Sequence, residues 1–433
     1  MVMKRYICLI SLFLVVSMVS YAQTGTWSGK LEVSGMKLSI VFHLDDANPT
    51  VDSPDQGVKG IPAQIQRTGT GMITVRIPSL AASFEGQWLI NKIVGNFTQM
   101  GSSLPLTLIP GEEKLNRPQT PVRPFPYETE EVSFTNGEVI LNGTLVLPEG
   151  YNADTPVLLM VSGSGQQNRD EEIFEHKPFA VIADAFARAG IATLRYDDRG
   201  FSGYKGDINA CTVDDFKNDA SAGIMLLRER FDKVGVIGHS EGGTIALMLA
   251  AEGQADFIIS LAGMAVSGAE ALVWQNQVSL KESGFSEEVV NTYCSLIGQA
   301  FDAKVNGGIM PQTGQLDLPD ALKQNYLAVL TQIQTPYMSN FIALDIRSLL
   351  GDIDCPVFAI NGTKDVQVDH VSNLGALRSG LNENPKNVIR NIEDVNHLFQ
   401  HCATGSVAEY REIEETFSQD VLDELVIWMS DFK

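Results

Sequence analysis

The pentapeptide Gly238-His239-Ser240-Glu241-Gly242 follows a β-branched apolar run, residues 234–237, and precedes the helical pattern Thr244-Ile245-Ala246-Leu247. Strand, sharp turn and helix are the setting that a G-x-S-x-G nucleophile elbow requires, and the flanking glycines give the strained backbone room. Such a turn lifts the Ser240 hydroxyl clear of a sheet and sets it at a helix N-terminus, where developing negative charge is favoured. A serine hydroxyl attacks poorly until a base takes its proton, and the base needs a third group to orient it. In the chain order serine, acid, histidine, three histidines lie downstream of Ser240: His370, His397 and His401. His397 follows the apolar run 388–391, in a loop off the C-terminal end of a strand, where open α/β sheets place their active sites. His370 is expected to begin a helix and His401 to lie inside the next one. His397 and His401 make H-x-x-x-H without the Glu of H-E-x-x-H, so no metal site is expected.

Asp365 is the acid expected to orient His397. It follows the run 356–360 and the turn Asn361-Gly362-Thr363-Lys364, and so reaches the same sheet edge as His397. Asp369 is the second choice; Glu393 and Asp394 rank below it. Backbone N–H groups aimed at a tetrahedral oxygen are expected from Glu241 and from Ser164, in the glycine-containing loop 162–170 after the strand 157–161. The Glu241 side chain is expected to face solvent. No cofactor is needed for this chemistry.

Several elements must position these residues. Residues 26–109 alternate apolar and polar with Gly, Pro, Asn and Asp in the turns, which reads as a small antiparallel sheet or barrel. Residues 23–116 are assigned to this all-β domain, and the Pro-rich stretch 117–129 to an extended linker. From 130 to 433 the pattern is α/β. A hairpin turning at Asn136-Gly137 comes first, then short apolar strands alternate with helices, predicting a mostly parallel sheet. A mainly helical insertion, about 267–353, interrupts the alternation and is expected to cap the sheet. Helices are predicted in it at 269–281, 287–303 and 320–332.

Lys4 and Arg5, the apolar run 7–19 and Ser20-Tyr21-Ala22 read as a signal peptide, residues 1–22, cleaved before Gln23. The expected product is exported, periplasmic or secreted, with no stable membrane span. The net charge of −22 becomes −24 once Lys4 and Arg5 are removed. That acidity argues against nucleic acid or anionic lipid as partners. Cys211, Cys294, Cys355 and Cys402 remain, and spacing does not choose between free thiols and three possible pairings.

Residues 130–433 resemble the α/β-hydrolases, and more narrowly the EstD-type bacterial serine esterases. The resemblance rests on Gly163-Ser164-Gly165 with Arg169-Asp170, on Arg195-Tyr196-Asp197-Asp198-Arg199-Gly200, on the elbow, on Asn361-Gly362 with Asp365, and on Asn396-His397-Leu398-Phe399-Gln400. It implies a carboxylesterase acting on short acyl esters, with Ser240, Asp365 and His397 as its triad and no cofactor. Arg199 is read as architectural, tying loops together. The same triad suits glycan deacetylation or peptide cleavage, and a third possibility is a binding protein contacting a glycan or protein through its β-domain.

Overall fold

The computed structural model describes residues 24–433 apart from 34–35, 46, 57, 69–70, 90, 100, 113, 202–205 and 315–316. The expected signal peptide, residues 1–22, lies outside the described residues. The chain divides into two compact units, Met1–Lys114 and Leu115–Lys433.

In the first unit, the strands are β1 (Thr26–Val33), β2 (Met36–His43), β3 (Thr50–Ser53), β4 (Val58–Pro62), β5 (Gln64–Arg67), β6 (Met72–Ile77), β7 (Ala82–Trp88), β8 (Ile93–Gln99) and β9 (Ser102–Pro110). They form one antiparallel sheet in the order β4-β3-β2-β1-β9-β8-β7-β6-β5. β4 and β5 stand at opposite ends of that order, yet Ala63 alone separates them in the chain, so the sheet curls until its ends meet. Side chains alternate as the sequence does: Ile73, Val75 and Ile77 are buried, while Met72 and Arg76 are exposed. Phe42 and Phe84 pack with ring centroids 5.3 Å apart in this interior. Each such buried side chain contributes about 1.5–3 kcal/mol of transfer free energy.

The second unit holds β10 (Glu128–Asn136), β11 (Val139–Leu147), β12 (Val157–Val161), β13 (Ala192–Tyr196), β14 (Val234–His239), β15 (Ile258–Leu261), β16 (Val357–Gly362) and β17 (Val388–Ile392), in sheet order β10-β11-β13-β12-β14-β15-β16-β17. β10 and β11 form the hairpin, β11 pairs antiparallel with β13, and every later pair is parallel. Parallel strands covered on both faces read as unbroken apolar runs. Within β12, Val157, Leu159 and Val161 enter one core with α2 (Val213–Arg228), α3 (Glu241–Ala251) and α8 (His370–Gly380). Leu158 and Met160 enter the other, with α1 (Pro178–Arg188) and α9 (Gln419–Met429).

β15 and β16 are adjacent and parallel, so the chain between them adds no strand to the sheet. It holds α4 (Gly268–Glu282), α5 (Glu287–Asn306), α6 (Asp320–Gln332) and α7 (Pro336–Ala343), with a core of their own around Tyr293, Ile297, Phe301 and Tyr326. Ser267, Ser286 and Thr335 cap three of these helices through their side chains. α7 was not expected from the sequence. Its eight residues carry no clear period, and Thr335 with Pro336 at the first helical position is the signal that marks it.

The Pro-rich stretch read as an extended linker is bonded into the second unit. Arg117 donates Nε to the carbonyl of Phe174 at 3.0 Å, Nη1 to Ile413 at 2.7 Å and Nη2 to Arg411 at 2.8 Å. Gln119 Oε1 accepts the N–H groups of Thr416 and Phe417. Arg199 does tie elements together. Its Nε and Nη2 grip both carboxylate oxygens of Asp219 on α2, at 2.6 and 2.7 Å, and Asn136 Nδ2 reaches the same carboxylate at 2.8 Å.

Arg199 and Asp219 are both buried, and removing one partner of a buried pair leaves a charge that the interior disfavours. Asp219→Ala is therefore expected to destabilise the second unit by about 3–5 kcal/mol. Urea denaturation followed by helical circular dichroism reports that unit, because the α-helices described lie there. An unchanged midpoint would show that the pair contributes nothing.

Candidate active site

Ser240 sits between β14 and α3 with φ 53° and ψ −119°, a strained conformation for a residue with a side chain. Its N–H donates to the carbonyl of Leu261 on β15 at 2.8 Å. The neighbouring glycines explain how the turn closes. A Cβ on Gly238 would meet the carbonyl oxygen of Gly242 at 2.0 Å, and one on Gly242 would meet the carbonyl oxygen of Val161 at 2.0 Å. Only glycine allows backbones to approach this closely.

The acid and the histidine follow the last two strands, β16 and β17. Asp365 lies past β16, and its Oδ1 accepts the N–H groups of Gln367 at 2.7 Å and Val368 at 2.9 Å. Its Oδ2 accepts from His397 Nδ1 at 2.7 Å. Both side chains are buried. The loop carrying His397 is shaped by Asn396, whose Oδ1 accepts the N–H groups of Leu398 and Gln400. His397 meets the elbow through His239: the His239 Nε2 bonds the His397 carbonyl at 2.9 Å, and the two rings lie 4.7 Å apart.

The other candidates are occupied elsewhere. Asp369 caps α8, accepting from the N–H groups of Val371 and Ser372. His370 begins α8, as expected. Glu393 accepts from Asn391, and Asp394 pairs with Lys364. His401 is not in a helix: it bridges back to Val395 and bonds Glu415. The chain cannot run straight into a helix there, because Asn396 folds it into a tight loop and Phe399 takes φ 59°.

The loop after β12 lies against the elbow, where a Cβ on Gly163 would come 3.2 Å from Ser240 Cβ. Asp198 anchors this loop, accepting from Ser162 Oγ at 2.9 Å and from Gln167 N–H at 2.9 Å. Burial pushes the Asp198 carboxyl well above its ordinary range. Arg169 clamps Asp197 through Nε at 3.1 Å and Nη2 at 2.6 Å. The Gly163 N–H is taken by Glu171 Oε1 at 2.7 Å, which leaves Ser164 as the next amide along the loop.

The Glu241 side chain does not face solvent. It is 7% exposed, hydrogen-bonded by the phenol of Tyr337 on α7 and by the Ser164 hydroxyl. The first turn of α3 is enclosed, because every residue from Glu241 to Ala250 is buried. Burial raises the Glu241 carboxyl, against the lowering effect of those two hydrogen bonds. Ser164, Gly165, Phe216, Thr335 and Tyr337 line part of a cavity of about 540 Å³ beside this cluster. Tyr337, Glu171 and the inward role of His239 escaped the sequence reading. His239 lies within the elbow motif and Glu171 directly follows Arg169-Asp170, but neither spacing announces a partner across the fold.

Tyr337→Phe removes a donor from a buried carboxyl, which costs about 1–3 kcal/mol and raises that carboxyl further. Thermal unfolding of the variant should show the loss. A wild-type midpoint would mean that Tyr337 does not hold α7 to the elbow.

The family model described as X-Pro dipeptidyl-peptidase (S15 family) matches residues 136–389, a span that holds Ser240 and Asp365 and ends short of His397. The curated Esterase EstD of Thermotoga maritima is 27% identical over 314 residues, 71% of this chain and 69% of that protein. Among solved structures, the Pyrococcus furiosus esterase Pf2001 aligns over 70% of this chain and 93% of its own at 15% identity, with a TM-score of 0.41. A dienelactone hydrolase from Anabaena variabilis aligns over 71% and 98% at 17% identity, with a TM-score of 0.40. Because the family match covers more than half of the chain, the protein belongs to the S15 family and is a hydrolase, and the sheet order of its second unit is that of an α/β-hydrolase domain.

Proposed function

We propose that this protein cleaves carboxylic esters of short acyl groups through Ser240, His397 and Asp365, and that it does so outside the cytoplasm. The observation that carries the reading is the 2.7 Å bond from His397 Nδ1 to Asp365, on a loop bonded to the residue next to Ser240. Nδ1 donates to the carboxylate, so the neutral ring keeps its lone pair on Nε2 and can accept the serine proton. Ser240 Oγ attacks the ester carbonyl while His397 takes its proton, and Asp365 stabilises the imidazolium. The amide N–H groups of Ser164 and Glu241 receive the oxyanion. His397 then returns the proton to the departing alcohol, leaving an acyl-serine. A water deprotonated by His397 releases the acid and restores Ser240.

The name of the Thermotoga relative favours an ester, and the partly apolar cavity lined by Phe216 and Tyr337 suits an acyl chain. Export rests on the leader-like residues 1–22. The family description favours a second reading, cleavage after an X-Pro unit, and the same assay separates the two.

Purified protein is assayed on nitrophenyl acetate, butyrate and octanoate beside an X-Pro amide. Turnover should be highest on the shorter esters, and dominance of the amide would overturn the ester reading. Ser240→Ala or His397→Ala should each lower kcat on the order of 10⁶-fold, with the double variant no worse than either single one. Asp365→Asn should lower it about 10⁴-fold. A Ser240→Ala protein that keeps its turnover would remove Ser240 from the mechanism.

A further inference from the structure

Glu171 and His239 are buried ionisable groups at the elbow and beside it whose side chains the proposed mechanism leaves without a task. Each is 6% exposed. His239 Nδ1 lies 2.9 Å from Glu171 Oε1, and its Nε2 lies 2.9 Å from the carbonyl oxygen of His397. A carboxylate oxygen and a backbone carbonyl oxygen can only accept. Both ring nitrogens must therefore donate, which only the doubly protonated ring does. Burial by itself pushes this imidazole down, but the Glu171 charge and hydrogen bond outweigh it, and the net displacement is upward. Asp365 adds to the upward displacement, and the Glu171 charge is felt in turn at Asp198.

The same Glu171 oxygen accepts the N–H of Gly163 at 2.7 Å. One ion pair thus reaches three segments: the loop after β12 through Gly163, the elbow through His239, and the histidine loop through the carbonyl of His397. Glu171 takes φ 52° to do so, a left-handed conformation that strains a residue with a side chain. The fit is close, since a Cβ on Gly163 would lie 3.1 Å from the Glu171 oxygen and 3.2 Å from Ser240 Cβ.

We infer that Glu171 and His239 form a buried carboxylate–imidazolium pair that positions the oxyanion loop and His397 around Ser240. Both act through other groups and are positioning residues. The inference rests on the triad proposed above. In Glu171→Gln the amide oxygen can still accept from Gly163 and His239, but the imidazolium loses its counter-charge and an NH2 donor is buried where the second carboxylate oxygen has no partner. In His239→Gln the Glu171 carboxylate is left buried beside Asp198 without its cation.

The test uses the full chain carrying Glu171→Gln, His239→Gln or both, assayed on the best ester. Misplacing reacting groups by about 1 Å costs roughly 10²-fold in rate. Each single variant should therefore lose kcat on the order of 10²-fold with KM changed less than about threefold, and the double variant should lose far less than the product of the two. Folded variants with wild-type kcat, or losses confined to KM or to the thermal midpoint, would overturn the inference. Nitrogen-15 histidine NMR of the unsubstituted chain does not depend on variants folding. At a pH of about 7.5, above the ordinary histidine range, both His239 nitrogens should remain protonated. A neutral His239 overturns the pair. Ser240→Ala in the same assay keeps the two readings apart. If it retains turnover, the triad is what fails, and the state of His239 then decides on the pair alone.

Discussion

The strained backbone at Ser240 is the constraint from which the rest of the catalytic unit follows. A non-glycine residue at φ 53° persists only where its surroundings over-determine it. Here three parallel strands do so. β15 receives the Ser240 N–H, β12 presents its last carbonyl to Gly242, and β14 delivers the turn between them. Because contacts of about 2 Å would follow from a Cβ at Gly238 or Gly242, it is missing side chains that let α3 start directly on the sheet edge. The loops after β12, β16 and β17 then converge on the same edge, because parallel strands end together.

The sheet was legible because its strands are buried on both faces, so their apolar runs stand out against the amphipathic helices. The elbow was legible because its strain demands glycines at fixed spacing. The loops of Asp365 and His397 could be located by their position after strand ends, and the structure sets those two side chains 2.7 Å apart. What escaped depends on contacts across the fold. Glu241 looks like an exposed first-turn acid until Tyr337, 96 residues on, encloses it. α7 is too short for a period, and the loop of His401 is set by an asparagine turn that hydrophobic pattern does not encode. The Pro-rich stretch has the composition of a spacer, but Arg117 and Gln119 find carbonyls and amides nearly 300 residues away.

Glu171, Asp198, Glu241 and Asp365 are four buried carboxyl groups; Glu241 lies in the elbow and is bonded to α7, and the others are bonded to the oxyanion loop or to the histidine loop. An oxyanion forming beside four full negative charges would be opposed by them at low effective dielectric. The partners differ in kind. Asp365 and Glu171 each face an imidazole; Asp365 also receives two backbone N–H groups and Glu171 one. Asp198 and Glu241 are served by hydroxyls and, for Asp198, one amide, and burial raises both. Carboxyls that hold their protons more tightly add less negative charge to the site. The two that face histidines keep theirs neutralised at short range, where an imidazolium forms or already stands. In this arrangement the acidic surroundings of Ser240 orient its partners without repelling the oxyanion of the proposed mechanism.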